Sequence, residues 1–223
     1  MDQIISSYFN LEVLQQSLPY LQHGLVLTFW LTLAIVPLAM LAGLVVAMLF
    51  DLRVKLLNYA LVVYIDLFRA FPPLVLIIFI FFGLPFLGVR FSEFTSFVLA
   101  STLNGAAYFG EIFRAGIASI PRGQYEAAIS TGLKPVQAMV YVVLPQAIRN
   151  VLAPLAGNII ELVKATSLAS VVAMPELLRS ARIAQGATYN ATPLVAAALI
   201  YLVLLWPSVR LASRLERRAL AKR

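Results

Sequence analysis

Long apolar stretches separated by short polar segments dominate this chain. Five of them are long enough to cross a membrane: residues 24–50, 57–82, 94–113, 152–173 and 193–209. The first contains no charged residue, and about 20 predominantly apolar residues suffice to cross the hydrocarbon core of a bilayer. The pattern therefore predicts an all-α, polytopic membrane protein with five transmembrane helices.

Two amphipathic segments flank the predicted spans. Residues 11–21 mix apolar residues with one glutamate and two glutamines, and they contain Pro19; we predict an interfacial helix on the outer side. Residues 176–185 place leucine and alanine at helical spacing opposite Arg179 and Arg182. This spacing predicts a short amphipathic helix, also on the outer side.

Composition supports the membrane assignment independently. Hydrophobic residues make up 61% of the 223 residues and charged residues 12%, whereas a soluble protein carries about 25% charged residues. A soluble core of this size could not bury so much apolar surface, so lipid must be the solvent. The sequence shows no internal repeat, and we treat residues 1–223 as a single transmembrane domain.

The distribution of basic residues predicts the orientation, because cytoplasmic loops are enriched in Lys and Arg. With the C terminus inside, the inner loops and the C-terminal tail hold twelve of the 17 Lys and Arg residues. The outer segments then hold only Arg90, Arg179 and Arg182. We therefore predict that the N terminus lies outside and the C terminus inside. We therefore attribute the net charge of +7 to basic residues that determine the orientation in the membrane, and not to a nucleic-acid-binding surface.

A polar segment, residues 121–145, separates the third and fourth predicted spans. Residues 124–131 favour a helix, and Gly132 suits the left-handed position that follows a helix. Pro135 suits the first turn of a second helix, and Pro145 is expected to bend or end that helix. The segment is therefore predicted to contain a short, rigid helix on the cytoplasmic face.

This short helix has the features of a docking surface. Ala127 and Ala128 are expected to leave a flat surface that another backbone can approach closely, and Glu126 complements the helix dipole. Taken alone, the segment is better interpreted as an ordinary cytoplasmic helix–turn–helix connector. The sequence contains no P-loop motif, so this chain is not expected to bind ATP through a P-loop.

Charged residues within the predicted spans are the candidate functional groups. Asp66 and Arg69 lie three residues apart, as do Glu161 and Lys164, so each pair shares one helix face. A charge at the bilayer centre costs at least about 2.5–3.5 kcal/mol, so these groups should face the bundle or a cavity. Each pair could be a structural ion pair joining helices, or part of a substrate path. For Arg69 we favour the path, because a guanidinium offers two donors that fit a carboxylate.

Four motifs, in order along the chain, resemble those of the polar amino-acid branch of ATP-binding-cassette (ABC) importer permeases, over roughly residues 20–218. They are Phe68-Arg69-Ala70-Phe71-Pro72; Ala107-Tyr108-Phe109-Gly110-Glu111-Ile112-Phe113-Arg114-Ala115-Gly116-Ile117; Gly123-Gln124-Tyr125-Glu126-Ala127-Ala128 with Gly132 and Leu144-Pro145-Gln146-Ala147; and Leu162-Val163-Lys164-Ala165-Thr166-Ser167-Leu168. Several ordered motifs are far more specific than one short pattern.

The resemblance implies the type I ABC importer permease fold, with a cytoplasmic coupling loop, called the EAA loop, at about residues 121–145. The residues expected to couple to the ATPase are Gln124, Glu126, Ala127, Ala128, Gly132, Leu144 and Pro145. The candidate substrate path comprises Asp66, Arg69, Asn158, Glu161, Lys164, Thr166 and Ser167. No catalytic or metal-binding residue is expected, and the only histidine, His23, lies at an outer interface.

The same resemblance implies the partners. Two copies of an ABC ATPase, which binds ATP and Mg²⁺, are expected below the membrane, and an extracytoplasmic substrate-binding protein above it. A second permease subunit, either a copy of this chain or a paralogue, would complete the path across the lipid bilayer of the bacterial inner membrane. This chain is then a transport subunit and not an enzyme, with no cofactor of its own.

Two departures from the family pattern bear on the substrate. Ala165 stands where the family has Asp, and Phe71 where it has Thr. Without that carboxylate, the path lacks the negatively charged group that would pair with the cationic side chain of a transported lysine, arginine or histidine. We therefore expect a neutral or acidic amino acid as the substrate.

Two other classes of membrane protein are alternatives to an ABC permease. A secondary transporter or channel for small polar solutes is the main alternative, but such folds usually show internal repeats, which five unequal spans do not. An intramembrane enzyme would need a nucleophile and base or a metal set. The chain has one histidine and no cysteine, which makes that class a weak candidate.

Overall fold

The computed structural model describes residues 6–50, 52 and 54–220, which are helical with short connections and contain no strand. The α-helices are α1 (Leu11–Phe50), α2 (Lys55–Ala70), α3 (Pro73–Ile78), α4 (Glu93–Ala118), α5 (Arg122–Ser130), α6 (Pro135–Ala138), α7 (Leu144–Ala165), α8 (Leu177–Thr188) and α9 (Thr192–Leu220). Two π-helical turns, Phe79–Gly83 and Met139–Val143, and two 3₁₀ segments, Leu84–Leu87 and Thr166–Val172, continue these helices.

Three of the helical stretches are long and apolar enough to cross a membrane: Ser6–Phe50, Pro135–Val172 and Thr192–Arg214. Lys55–Ala70 and Pro73–Leu87 together form a fourth, if they count as one broken span. Helix α4 has 26 residues, about 39 Å at 1.5 Å per residue, but no stretch of it is apolar enough to join these candidates. The all-α, membrane-spanning class is confirmed, whereas the number of five spans stays a prediction.

The predicted boundary between an interfacial helix at 11–21 and a first span at 24–50 is wrong. Helix α1 runs without a break through Pro19 to Phe50. Gly24 does not interrupt the helix. A Cβ atom there would lie 2.6 Å from the Ser180 hydroxyl oxygen, so Gly24 permits close contact with α8. Leu21 is buried against Leu177 in the same contact.

The second predicted span, 57–82, is not one helix. Helix α2 ends at Ala70, and α3 begins at Pro73, after Phe71 and Pro72. A proline disfavours helical backbone in the residue before it and lacks the N–H that a helix needs. Two consecutive prolines therefore end α2, and the chain starts a new helix with Pro73 in its first turn.

Pro145 does not end its helix, which continues into the predicted fourth span. A π-helical turn, Met139–Val143, precedes it, and the Leu144 N–H donates to the Met139 carbonyl five residues back. The wider turn accommodates a proline ring that would clash with the carbonyl four residues earlier in an α-helix. The helix that contains most of the predicted span 152–173 is therefore longer than the span and starts at Leu144.

The remaining elements follow the sequence prediction more closely. The amphipathic helix predicted at 176–185 is α8, Leu177–Thr188, with Glu176 as its N-cap. The third and fifth predicted spans, 94–113 and 193–209, lie within α4 and α9, which are both longer. The end of the fourth span is a 3₁₀ segment, and Ala173 follows it in the left-handed conformation at φ +64°.

The chain forms two compact units, each assembled from three segments. The first comprises Met1–Pro37, Phe71–Thr102 and Ile160–Ser208; the second comprises Leu38–Ala70, Leu103–Ile159 and Val209–Arg223. In the first unit, Leu21, Leu177, Ala181 and Ala197 form a buried cluster. In the second unit, Gly43 and Gly110 bring α1 and α4 together, because a Cβ on Gly43 would lie 2.5 Å from Phe109. The single domain over residues 1–223 stays a prediction.

Candidate functional site

Helix α5, in the predicted coupling loop, is closed at its C-terminal end by Gly132. Gly132 has φ +91°, its N–H donates to the Ile129 carbonyl at 2.9 Å, and the Leu133 N–H donates to the Ala128 carbonyl at 3.4 Å. These two bonds form a Schellman motif, which favours glycine at this position. The left-handed conformation predicted for Gly132 is confirmed.

The segment after Gly132 starts a second helix at once, as predicted. Pro135 occupies the first turn of α6, and the backbone N–H of Lys134 donates to the Gln137 side chain at 2.9 Å. The short α6 continues through the π-turn into α7. The loop is therefore a fixed helix–turn–helix and not a flexible connection.

Side chains from the neighbouring helices brace α5 and its flanks. Gln146 of α7 donates to Gln124 of α5 at 3.4 Å, and Asn150 donates to the Ser119 hydroxyl at 2.9 Å. Gly116, near the end of α4, faces Val151 so closely that a Cβ would lie 2.6 Å from it. The two helices that flank the loop are thus in direct contact at its base.

One face of α5 remains exposed and consists of small side chains beside one carboxylate. Gly123, Glu126, Ala127 and Ser130 are exposed, and their spacing places them on one side of a helix. Ala128 is 6% exposed, so the predicted contribution of its side chain to a flat docking surface is wrong. Successive residues on a helix point about 100° apart, which is why Ala127 and Ala128 cannot share one face.

The two remaining predicted coupling residues lie at the start of α7. Leu144 is half-buried and Pro145 is exposed. Both follow the π-turn Met139–Val143, against which α5 packs. They are therefore placed at the junction between the loop and the membrane helix.

Arg69 and Asp66 do not pair with each other. Among the described residues, the ion pairs are Arg114 with Glu111 and Lys164 with Glu161. Both Asp66 and Arg69 are exposed, and the Arg69 guanidinium lies over the ring of Tyr108, 5.4 Å from its centroid. The alternative in which Arg69 only neutralises Asp66 therefore has no support in this arrangement.

Glu161 and Lys164 do pair, but within one helix. The Lys164 ammonium donates to the Glu161 carboxylate at 2.6 Å, and the two side chains are 49% and 67% exposed respectively. The alternative of an ion pair that joins two helices is wrong for these residues. An exposed pair of this kind contributes little to stability, so both groups stay available to a ligand.

Three further residues were predicted to line the substrate path, and their settings differ. Thr166 is fully buried and donates to the Val163 carbonyl at 2.6 Å, so its side chain is inaccessible to a ligand in this structure. Ser167 is half-buried and donates to the Lys164 carbonyl at 2.8 Å. The side-chain Nδ2 of Asn158 is buried with no hydrogen-bond partner among the described residues. An unpaired buried donor costs free energy.

The predicted path residues fall in both compact units. Asp66, Arg69 and Asn158 belong to the second unit, and Glu161, Lys164, Thr166 and Ser167 to the first. Within the second unit, α4 contacts the end of α2, since Asn104 Nδ2 donates to the Phe68 carbonyl at 2.6 Å. The Tyr108 hydroxyl donates to the Arg69 carbonyl at 3.3 Å.

A buried polar cluster around Glu176 was missed by sequence reasoning. The Glu176 carboxylate is fully buried and accepts from the backbone N–H groups of Leu178 and Arg179, both at 2.8 Å. It also accepts from the Tyr201 hydroxyl at 3.2 Å. Thr28 accepts from the Leu177 N–H at 3.1 Å. The signal in the sequence was an acidic residue directly before an amphipathic helix, which is a capping pattern.

Burial and hydrogen bonding act in opposite directions on the pKa of Glu176. Glu176 lies between the candidate spans, and burial raises the pKa of its carboxyl group above the usual value. The N–H groups of Leu178 and Arg179 and the Tyr201 hydroxyl offset part of this rise. Because these donors come from α8 and α9, Glu176 holds the start of α8 in place within the first unit.

Residues 35–220 match the family described as binding-protein-dependent transport system inner membrane component. The chain is 38% identical over 198 residues to the probable amino-acid ABC transporter permease protein YckA of Bacillus subtilis (strain 168), with 86% of each chain covered. The probable glutamine ABC transporter permease protein GlnP of the same organism is 34% identical, covering 92% of this chain and 95% of the relative. Its arginine transport system permease protein ArtQ is 32% identical, with coverage of 90% and 93%.

The structure is also similar to a solved one. A chain in the crystal structure of an amino acid ABC transporter with histidines is 36% identical and superimposes with a TM-score of 0.82. The match covers 92% of this chain and 96% of that chain.

Proposed function

Since the chain belongs to the family of inner membrane components of binding-protein-dependent transport systems, we propose that it forms the membrane path of an importer for a neutral or acidic amino acid. It is a permease component of an amino-acid ABC transporter and a multi-pass protein of the bacterial cytoplasmic membrane. Membership of this family implies an ATPase subunit and a substrate-binding protein as partners.

The observation that carries the coupling role is the arrangement of α5. This helix is fixed by a glycine cap and by Gln146, and it presents Gly123, Glu126 and Ala127 outwards. Small side chains allow another backbone to approach closely, and a fixed helix transmits a displacement to α4 and α7, which pack together at its base. We assign this face to the ATPase, which binds ATP and Mg²⁺ and hydrolyses the nucleotide.

The proposed mechanism is alternating access. ATP-driven closure of two ATPase subunits displaces α5, and the displacement passes through α4 and α7 to open the path outwards. The extracytoplasmic binding protein then releases its amino acid into the path. A second permease subunit, either a copy of this chain or a paralogue, supplies the other wall.

The substrate assignment rests on charge. Arg69 forms no ion pair with a described residue, and its guanidinium can hold a carboxylate by two hydrogen bonds. Ala165 offers no negative group to a cationic side chain. The relatives are named for glutamine and for arginine, so family membership leaves the substrate open. The absence of a carboxylate at position 165 supports a neutral or acidic amino acid.

We also propose five transmembrane helices with the N terminus outside. A single cysteine at Lys134, which precedes α6, should then react with a membrane-impermeant thiol reagent only after the membrane is opened. A single cysteine at Ser92, which precedes α4, should react in intact spheroplasts. Both positions are exposed, and the chain has no cysteine of its own, so the labelling has no background. The reverse labelling pattern would overturn the orientation.

A further inference from the structure

The two prolines after α2 leave two carbonyl groups without their helical donors. In an α-helix each carbonyl accepts from the N–H four residues later. Pro72 and Pro73 have no N–H, so the Phe68 and Arg69 carbonyls lose their partners at the end of α2. Each backbone carbonyl that lacks a hydrogen-bond donor within the hydrocarbon core costs several kcal/mol of free energy.

Helix α4 supplies one side-chain donor to each of these carbonyls. Asn104, which is 6% exposed, donates through Nδ2 to the Phe68 carbonyl at 2.6 Å. Tyr108 donates through its hydroxyl to the Arg69 carbonyl at 3.3 Å. Asn104 and Tyr108 are four residues apart, so they lie on one face of α4 and meet the two carbonyls together.

Tyr108 also contacts the side chain of the same arginine. The Arg69 guanidinium carbon lies 5.4 Å from the centre of the Tyr108 ring, within the range of a cation–π interaction. The nearby carboxylate of Glu111 is occupied, since Arg114 donates to both of its oxygens at 2.6 and 2.9 Å. The arginine is therefore held by a ring and not by a described carboxylate, which leaves its N–H donors for a ligand.

We propose that Tyr108 is a positioning residue that fixes both the backbone and the guanidinium of Arg69, with Asn104 anchoring the preceding carbonyl. The inference rests on the proposed role of Arg69 in holding the carboxylate of the transported amino acid. A long arginine side chain has about 2 kcal/mol of rotamer entropy to lose, and the ring removes part of that freedom before the ligand arrives. Tyr108 thus acts on affinity through Arg69 and does not itself contact the ligand.

The test compares variants of Tyr108 with matched variants of Tyr64. Tyr64 joins the same two helices, since its hydroxyl donates to the Leu103 carbonyl at 2.7 Å, but it contacts neither the carbonyl nor the guanidinium of Arg69. Tyr108→Phe keeps the ring and removes the hydroxyl, whereas Tyr108→Leu removes both. Tyr64→Phe and Tyr64→Leu repeat these changes away from Arg69.

The kinetic measurement is ATP-dependent uptake by proteoliposomes that contain the assembled complex, with each of the twenty labelled amino acids as probes. For the amino acid that the wild type takes up best, Tyr108→Leu should raise KM about tenfold with little change in the maximal rate, and Tyr108→Phe should raise it less. The Tyr64 variants should leave KM unchanged. An unchanged KM in Tyr108→Leu while Arg69→Ala loses uptake, or an equal rise in Tyr64→Leu, would overturn the positioning role.

A structural measurement separates this inference from the proposed function. Cryo-electron microscopy of the Tyr108→Leu complex should show the Arg69 guanidinium displaced, while Tyr108→Phe should retain it near the ring. If Arg69 stays in place in Tyr108→Leu, the positioning role is wrong whatever the substrate. If Arg69 moves but Arg69→Ala transports normally, the positioning stands and the carboxylate clamp fails.

Discussion

Replacing Arg69 by alanine should abolish amino-acid uptake while the assembled transporter keeps its basal ATPase activity. The guanidinium of Arg69 is exposed and forms no ion pair with a described residue. A hydrogen bond to a charged group contributes about 1.5–3 kcal/mol, and a carboxylate would accept two. Loss of roughly 3 kcal/mol corresponds to a fall in uptake of more than a hundredfold. Arg69→Lys should restore only a small part, because lysine lacks the two-pronged donor geometry.

Asp66 provides the matched control for this prediction. It lies one helical turn before Arg69 and is also exposed, but the two do not pair. Asp66→Asn should therefore lower uptake far less than Arg69→Ala does, because Asp66 offers no donor to a carboxylate. The double variant Asp66→Asn with Arg69→Gln should be as inactive as Arg69→Gln alone. Near-normal uptake by the double variant would mean that Arg69 serves only to balance Asp66.

The second large effect is expected at the coupling helix α5. Ala127→Trp should reduce ligand-stimulated ATP hydrolysis to the basal rate, because it places a bulky ring on the exposed face without disturbing the chain. Ala127→Ser keeps the side chain small and should retain stimulation. The measurement is ATPase activity of the reconstituted complex with and without liganded binding protein. Full stimulation in Ala127→Trp would mean that this face does not contact the ATPase.

A substitution at Gly132 should also abolish ligand-stimulated ATP hydrolysis, by a different physical cause. A Cβ at Gly132 would meet no atom within 4 Å, so the position has space for a side chain. Its φ of +91°, however, is a backbone conformation in which a residue other than glycine would be strained. A β-branched residue in left-handed backbone costs roughly 1–2 kcal/mol, so Gly132→Val should release the end of α5 and uncouple the complex. Gly132→Asn should be milder, since asparagine tolerates positive φ better. Wild-type stimulation of ATP hydrolysis in both variants would show that the cap has no part in coupling.

The sequence was most informative where a local rule governs the structure. The cap at Gly132, the start of α6 at Pro135 and the amphipathic helix α8 were all predictable from residue type and spacing, because each depends on a few neighbouring residues. The membrane class was equally clear, since apolar length determines it. The roles implied by the motif resemblance could not be reached from composition, and they needed several motifs in order.

The errors in the sequence prediction came from tertiary contacts. Pro19 and Gly24 lie at the predicted division between two helices, yet α1 continues through both, and Gly24 lies in close contact with Ser180. Pro145 looks like a helix end, yet a π-turn before it accommodates the ring. The buried carboxylate of Glu176 depends on Tyr201, 25 residues later, and local reasoning cannot detect such a pair. The donors that Asn104 and Tyr108 provide to α2 are of the same long-range kind.

ATP-dependent uptake by reconstituted proteoliposomes tests the central claim most directly. This chain would be assembled with the ATPase subunit and the substrate-binding protein of its transporter, and labelled amino acids would be supplied outside. Import should require the ATPase, hydrolysable ATP and the binding protein together, and it should favour a neutral or acidic amino acid. Uptake at the same rate by this chain alone, driven by an ion gradient without ATP, would contradict the account and identify a secondary transporter.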